Sequence, residues 1–314
     1  MRVTVLLLLG FISIAFVATA QASAPQHFNQ AKKLLREQVY HDRNNEGDSY
    51  CGCQWQWVGQ SGGRVIHNSC AYEVRAQPVR AARIEWEHVV PAWEFGHQRQ
   101  CWQEGGRQHC KSTDPVFRVM EADMHNLTPI VGEVNADRSN YRFAMLPNAA
   151  PLHGACPFRV DFSVRRAQPP ASFRGAAARI YFYMADRYNL RISRQQEQLF
   201  MAWHKQHPVT AWETERDHRI AAIMGHNNPF VTGAREWQRG HKNSREGLLN
   251  PVPSAQQPST SNSAGPIHGN RNSKIYHLPQ GCPSYNAMKE HNKVLFNNEE
   301  EALAAGYRKA GNCR

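Results

Sequence analysis

The stretch Ile84-Glu85-Trp86-Glu87-His88-Val89-Val90-Pro91 sets a carboxylate directly beside an imidazole, inside a run of apolar and aromatic residues. Such a run reads as an extended strand, and the proline soon after marks its end, because proline has no amide to give a sheet. On a flat strand, neighbouring side chains point to opposite faces. For Glu87 and His88 to serve one site, the strand must end or twist at this pair. Alone, a Glu-His pair is an ordinary surface feature. Its meaning comes from a second string, His125-Asn126-Leu127-Thr128-Pro129, closely followed by Gly132-Glu133-Val134-Asn135.

Together the strings supply a base and two hard oxygen donors. A neutral imidazole at His88 can take a proton near physiological pH. The side-chain oxygens of Glu87 and Asn135 suit a hard cation such as Mg²⁺, which keeps several waters and so needs few protein ligands. The order Glu-His-Val-Val-Pro is not the His-Glu-x-x-His of zinc proteases. The whole chain carries a formal charge of +11. That excess suits a polyanion, without choosing among nucleic acid, anionic lipid and acidic polysaccharide. Hydrolysis of a phosphodiester needs a deprotonated water, neutralised phosphate oxygens and a stabilised leaving oxygen. Base, cation ligands and basic charge together point to a metal-dependent nuclease.

The chain opens with Arg2, an apolar run from Val3 to Val17, and Ala18-Thr19-Ala20-Gln21-Ala22. This has the form of a secretory signal peptide cleaved after Ala20 or Ala22. The run is short for a membrane span, and no later segment is apolar enough to make one. Export to the periplasm or the medium is expected, with no membrane span. The leader takes only Arg2 from the positive charge.

Eight cysteines, an even number in an exported chain, suggest disulfides. Cys51 and Cys53 would face the same side of a strand and cannot bridge each other without distortion. Each needs a distant partner, and Cys70 and Cys156 are the candidates. Cys101 and Cys110 flank a short glycine-containing loop and are expected to close it, which leaves Cys282 with Cys313.

Four stretches are expected: a signal peptide over 1–22, a nuclease domain over 23–240, a linker over 241–268 and a small module over 269–314. Residues 250–266 are rich in Pro, Ser, Gln and Asn, as a flexible linker would be. Apolar residues at helical spacing predict a helix over Phe28–Val39. The segment from Ser49 to Arg118, aromatic and broken by Gly-Gly pairs, reads as strands and loops. From Ser172 the pattern turns helical. Ser193-Arg194-Gln195-Gln196 and Thr210-Ala211-Trp212-Glu213 have capping-box form, and Gly225 would end the last helix. Helices at both ends and strands between them predict an α+β fold.

Longer blocks sharpen this. Glu85-Trp86-Glu87-His88-Val89-Val90-Pro91-Ala92-Trp93, Gly96-His97-Gln98-Arg99-Gln100-Cys101-Trp102, Glu121-Ala122-Asp123-Met124-His125-Asn126-Leu127 and Gly132-Glu133-Val134-Asn135-Ala136-Asp137-Arg138 closely resemble the bacterial endonuclease I family. The resemblance runs from about Phe28 to about Arg235. It implies an exported nuclease built on a ββα-metal (His-Me) finger. It implies His88 as general base, Glu87 and Asn135 as ligands of a single Mg²⁺, and Arg107, in Gly105-Gly106-Arg107, as the contact to the cleaved phosphate. Mn²⁺ or Ca²⁺ would substitute in binding. The implied substrate is DNA, often with RNA, cut with little sequence preference to leave 5′-phosphate ends. A monomer is expected.

Other polar residues carry plainer expectations. His125 and Asn126 should lie on the second strand of the finger and hold the motif by hydrogen bonds. Glu121 and Asp123 are supporting or structural groups. His97, Arg99, Arg75, Arg80 and Arg83 form a solvated basic face before they are phosphate contacts. Trp86 and Trp93 are expected in the core. The C-terminal string from Gly269 to Cys313 is similar to the metal-binding domain of the Ada DNA-repair protein, with two cysteines where that domain has four. A disulfide is expected there in place of zinc. A non-catalytic nucleic-acid-binding or DNA-uptake protein on the same scaffold would require loss of the base or a ligand, and neither loss is visible. An envelope-binding protein would explain the charge and the tail but leave the motifs unused.

Overall fold

The structure, a computed structural model, describes residues 24–249, 267–296 and 299–313. The expected signal peptide and residues 250–266 lie outside them. The chain divides into two compact units, Met1–Ala255 and Gln256–Arg314.

In the first unit the expected N-terminal helix forms as α1, Phe28–Leu34, extended by a π-helical turn over Leu35–Val39. Four antiparallel strands then make a sheet in chain order: β1 Trp55–Val58, β2 Gly62–Val65, β3 Arg83–His88 and β4 Leu127–Val131. The strand carrying the Glu-His pair stops at His88. There it pairs with Leu127, the first residue of β4, so the pair sits at the end of the sheet. Every residue of β4 is buried. Leu127 joins an apolar cluster with Leu35, Trp86 and Ile220, whereas Ile130 and Val131 join a larger cluster with Ile84, Phe117 and Phe182. Burial on both sides explains its continuous apolar reading.

Between β2 and β4 the chain departs from expectation. Residues 49–118 carry four helices as well as strands: α2 Pro78–Ala81, α3 Ala92–Gly96, α4 Gln100–Thr113 and α5 Pro115–Glu121. All but α4 are one or two turns long, and a proline stands at or just before the first residue of α2, α3 and α5. Pro78 and Pro115 occupy first-turn positions, and Asp114 accepts from the Phe117 amide at 2.9 Å. Local starts of this kind set helices that a search for long periodicity passes over. α4 is broken at Gly105-Gly106. Gly106 holds φ 67°, ψ −159°, a conformation open essentially to glycine alone. Cys101 and Cys110, on either side, form a disulfide across the break.

β4 runs directly into α6, Gly132–Arg138. A side chain at Gly132 would come 2.6 Å from the Arg80 carbonyl oxygen, so glycine is required where the helix meets α2. His125 and Asn126 do not lie on β4. They form a 3₁₀ turn, Met124–Asn126, capped by the Asp123 carboxylate accepting from the His125 amide at 2.9 Å.

Three short strands, β5 Arg142–Phe143, β6 Arg159–Asp161 and β7 Arg166–Gln168, form a second small sheet. The helical half follows as α7 Ala171–Tyr188, α8 Arg194–Gln206 and α9 Ala211–Met224. Both anticipated caps form. Ser193 accepts from the Gln196 amide at 3.3 Å and Thr210 from the Glu213 amide at 3.1 Å, and left-handed Gly225 ends α9. From α9 the buried Arg216 donates to the carbonyls of Met124, His125 and Leu127 at 3.0, 3.1 and 2.8 Å. It thereby satisfies backbone oxygens where β4 begins. Disulfides Cys51–Cys156 and Cys53–Cys70 settle the pairing left open by sequence.

The second unit is a four-stranded sheet, order β10-β8-β9-β11, from Ile267–Asn270 (β8), Ile275–His277 (β9), Lys293–Phe296 (β10) and Arg308–Lys309 (β11). Tyr276, Phe296 and Tyr307 fill its core, and Cys282 bonds to Cys313. Helices with small sheets make the chain α+β.

Candidate active site

The end of β3, the second half of α6 and the break in α4 border one cavity of about 570 Å³. Glu87, His88, Arg107 and Asn135 all line it, with Phe28, Lys32, Arg80 and Glu85 among their neighbours. The four residues named from sequence thus come together from three separate stretches.

His88 is buried. Its Nε2 lies 2.8 Å from the carbonyl oxygen of Glu121. A carbonyl only accepts, so Nε2 carries the proton and Nδ1 keeps its lone pair. Burial pushes the imidazole pKa down to about 3, and the nearby Arg107 charge adds to this. The ring is therefore neutral at physiological pH. Phe28 packs against it, ring centres 4.7 Å apart. Immediately after His88 the chain is pinned. The Val89 amide donates to the Asn126 carbonyl at 3.0 Å. The Asn126 side chain accepts from the Val90 amide at 2.7 Å and donates to the Val90 carbonyl at 2.9 Å.

Glu121 serves twice. While its main chain orients His88, its buried carboxylate holds Arg107, Nε to Oε1 at 2.7 Å. The rest of the Arg107 guanidinium stays partly open to the cavity and lies 5.8 Å from the Phe28 ring centre. Lys32 lies 4.7 Å from the same ring, its pKa lowered by burial and by Lys111 and Arg107. Lys32 and Phe28 are site residues that sequence reading missed. They sit on an ordinary amphipathic helix with nothing in the local pattern to mark them.

Glu87 is buried, and burial raises its carboxyl pKa to about 7. The Arg138 guanidinium lies 3.2 Å from Glu87 Oε1, close enough to pair charge but not aligned to donate. Glu87 Oε1 thus has no hydrogen-bond donor, an unusual state for a buried carboxylate oxygen. Asn135 donates its Nδ2 to Glu85 at 3.0 Å, which leaves its Oδ1 to accept or ligate. Two hard oxygens without donors at one cavity fit a divalent cation of the Mg²⁺ or Ca²⁺ kind. Arg138 was missed as well, although its place three residues after Asn135 on one helix could have signalled it.

The remaining residues hold the frame. Asp123 accepts from the hydroxyls of Tyr183 and Tyr188 at 2.6 and 2.7 Å. His125 Nε2 donates to the His226 carbonyl at 3.0 Å. The expected solvated basic face is largely paired: Arg75 with Asp137, Arg80 and Arg83 with Glu85, Arg99 with Asp114. Trp86 is buried as expected. Trp93 is 40% exposed, contrary to the core reading, because α3 turns it away from the sheet.

The Endonuclease I family profile matches residues 27–235, about two thirds of the chain. An extracellular deoxyribonuclease of Aeromonas hydrophila is 46% identical over 222 residues, covering 69% of this chain and 96% of the relative. The chain belongs to the endonuclease I family.

Further relatives of this endonuclease I include a periplasmic deoxyribonuclease of Aeromonas hydrophila, 48% identical over 67% of this chain and 87% of the relative. Endonuclease-1 of Buchnera aphidicola subsp. Acyrthosiphon pisum is 43% identical over 66% of this chain and 80% of its own. As an endonuclease I the chain is an enzyme of phosphodiester hydrolysis, exported to the periplasm or the medium. No helix among the described residues is long and apolar enough to cross a membrane.

Proposed function

We propose that this endonuclease I hydrolyses the phosphodiester bonds of DNA, and of RNA as a further substrate, in the cavity around Glu87 and His88. The observation that carries the reading is the His88 tautomer. The Glu121 carbonyl holds the proton on Nε2, so a buried, neutral imidazole offers a lone pair at Nδ1 beside two donor-free oxygens. His88 Nδ1 takes a proton from the attacking water. A phosphodiester anion entering the cavity opposes the Arg107 field and raises the proton affinity of the imidazole. Arg107, held at Nε by Glu121, presents its remaining N–H groups to the phosphate being cleaved. Glu87 and Asn135 would hold a single Mg²⁺, with Mn²⁺ or Ca²⁺ able to replace it in binding, and a cation held there would supply charge to offset that developing on the phosphate and on the leaving 3′ oxygen.

Of the other polar side chains bordering the cavity, Arg80 and Glu85 are paired with each other, and Asn135 also donates to Glu85, which favours cleavage with little sequence preference. Loss of the 3′ oxygen leaves 5′-phosphate ends. All four residues come from one chain, and the enzyme acts as a monomer.

The test is nicking of supercoiled plasmid by the oxidised, mature protein. Cleavage with Mg²⁺ should stop with chelator. DNA ligase should reseal the nicks directly, as 5′-phosphate ends allow. His88→Ala should lower the rate by at least about 10²-fold while binding DNA as before. Equal cleavage by wild type and His88→Ala would sink the mechanism.

A further inference from the structure

Outside the active cavity, the most developed surface lies on the far side of α3. Pro91 and Ala92 line the active cavity, whereas Val90 and Trp93 line a second cavity of about 630 Å³. One short segment, directly after the His88 strand, is the wall between them. Trp93 faces this second space with 40% of its surface exposed. One turn along α3, the His97 ring lies flat against its indole, centres 3.8 Å apart and planes 5° from parallel. His97 Nδ1 donates to the Trp93 carbonyl at 2.7 Å, so the stacked pair is held in place before anything binds. Half-buried Leu190 and Ile192 line the same space.

Charge at the rim favours an anion. Arg142 and Arg191 are exposed and form no ion pair among the described residues. The acidic groups there are already engaged. Asp114 is paired with Arg99 at 2.5 Å, and Glu94 accepts the Tyr181 hydroxyl at 3.1 Å, its carboxyl pKa raised by burial.

We infer that the Trp93–His97 platform is a nucleobase-stacking subsite, which takes one unpaired base of the substrate strand beside the cleaved phosphate. This rests on the nuclease reading of the neighbouring cavity. A flat aromatic surface with arginines at its edge matches a base joined to a phosphate. Every base offers a π face, so the subsite adds affinity without sequence preference. In an intact duplex both faces of a base are covered by its neighbours. The platform therefore selects single strands, gaps and frayed ends.

The experiment uses a single-stranded oligonucleotide carrying 2-aminopurine and full-length His88→Ala protein, which leaves the strand whole. Binding should quench the 2-aminopurine emission. In His88→Ala/Trp93→Ala the quench should be largely lost and Kd should rise roughly tenfold, while Trp93→Phe in the same background keeps both. With His88 intact, Trp93→Ala should lower the single-strand-to-duplex ratio of kcat/KM by about tenfold. Equal quench and affinity without the indole, or an unchanged ratio, would overturn the subsite. The binding arm needs no turnover. A wild type that cleaves nothing would count against the nuclease reading while the stacking result still stood or fell alone. Matching thermal melts of the variants exclude a folding defect.

Discussion

At the scale of single residues, the site separates groups that face the cavity from groups that hold them still. Glu87, His88 and Asn135 were legible as candidates because each holds a site position in one of the ordered blocks that resemble the family, whereas a Glu-His pair alone is ordinary. Glu121 was not, because its role depends on a carbonyl 33 positions from His88 and on an arginine beyond a helix break. Spacing along the chain contains neither fact. Asn126 shows how finely the frame is set. Its side chain satisfies both the amide and the carbonyl of Val90, all fully buried. Asn126→Ala would leave a donor and an acceptor without partners, at roughly 2–4 kcal/mol. We expect urea denaturation to show that loss, with a drop in kcat as His88 gains freedom. A loss below about 0.5 kcal/mol would mean that solvent replaces both bonds and that Asn126 does not pin the strand end.

At the scale of elements, α6 assigns each polar side chain to a different neighbour. Asn135 turns to the cavity and the buried Arg138 to Glu87 and the Val89 carbonyl, while Glu133 and Asp137, one turn apart, hold the 72–77 loop and Arg75. The buried Glu133 carboxylate accepts from the amides of Arg75, Ala76 and Gln77 at 3.1, 2.6 and 2.5 Å, and from the Tyr72 hydroxyl at 2.8 Å. Burial would raise its pKa, but these bonds outweigh it and the value falls below the usual range. A carboxyl depressed in the folded state adds stability above its unfolded pKa and loses it as pH falls through the folded one. The acid limb of the stability profile, below about pH 4, should therefore be steeper in wild type than in Glu133→Gln. The variant should be less stable at pH 7, by roughly 1–3 kcal/mol, with the gap narrowing at pH 3. Parallel profiles in denaturant titrations at several pH values would show that Glu133 is not the linked group. The N-terminal helix, the strand ending at His88 and the capped α8 and α9 were legible because each has a periodic or capped signature. The helices between Pro78 and Glu121 were not. They are mostly one or two turns long, and α4 is interrupted by glycine, so tertiary contacts and a disulfide hold them where periodicity is too short to read.

At the scale of the molecule, the disulfides couple fold to function unequally. In the chain-entropy picture a bridge stabilises more the longer the loop it closes. Cys51–Cys156 spans 105 residues, Cys53–Cys70 spans 17 and Cys101–Cys110 spans 9. Replacing both cysteines of each pair by serine should therefore cost stability in that order, about 5, 3 and 2.5 kcal/mol. Activity at a temperature where all three variants remain folded should not follow the same order. Cys101–Cys110 brackets Gly105-Gly106-Arg107, so its loss frees the turn that aims Arg107 at the cavity while removing the least stability. We expect the Cys101→Ser/Cys110→Ser protein to lose the most kcat/KM and the Cys53→Ser/Cys70→Ser protein the least. An activity ranking that tracks the stability ranking would instead mean that the bridges act only on global folding. If the Cys101→Ser/Cys110→Ser protein does lose the most kcat/KM, oxidation after export would be what completes the active enzyme, and the cell that makes it would be spared. Before oxidation, the reduced chain lacks both the long bridge Cys51–Cys156 and the short one that brackets Arg107. Nicking assays on matched oxidised and reduced samples, with folding followed in parallel, separate these two contributions.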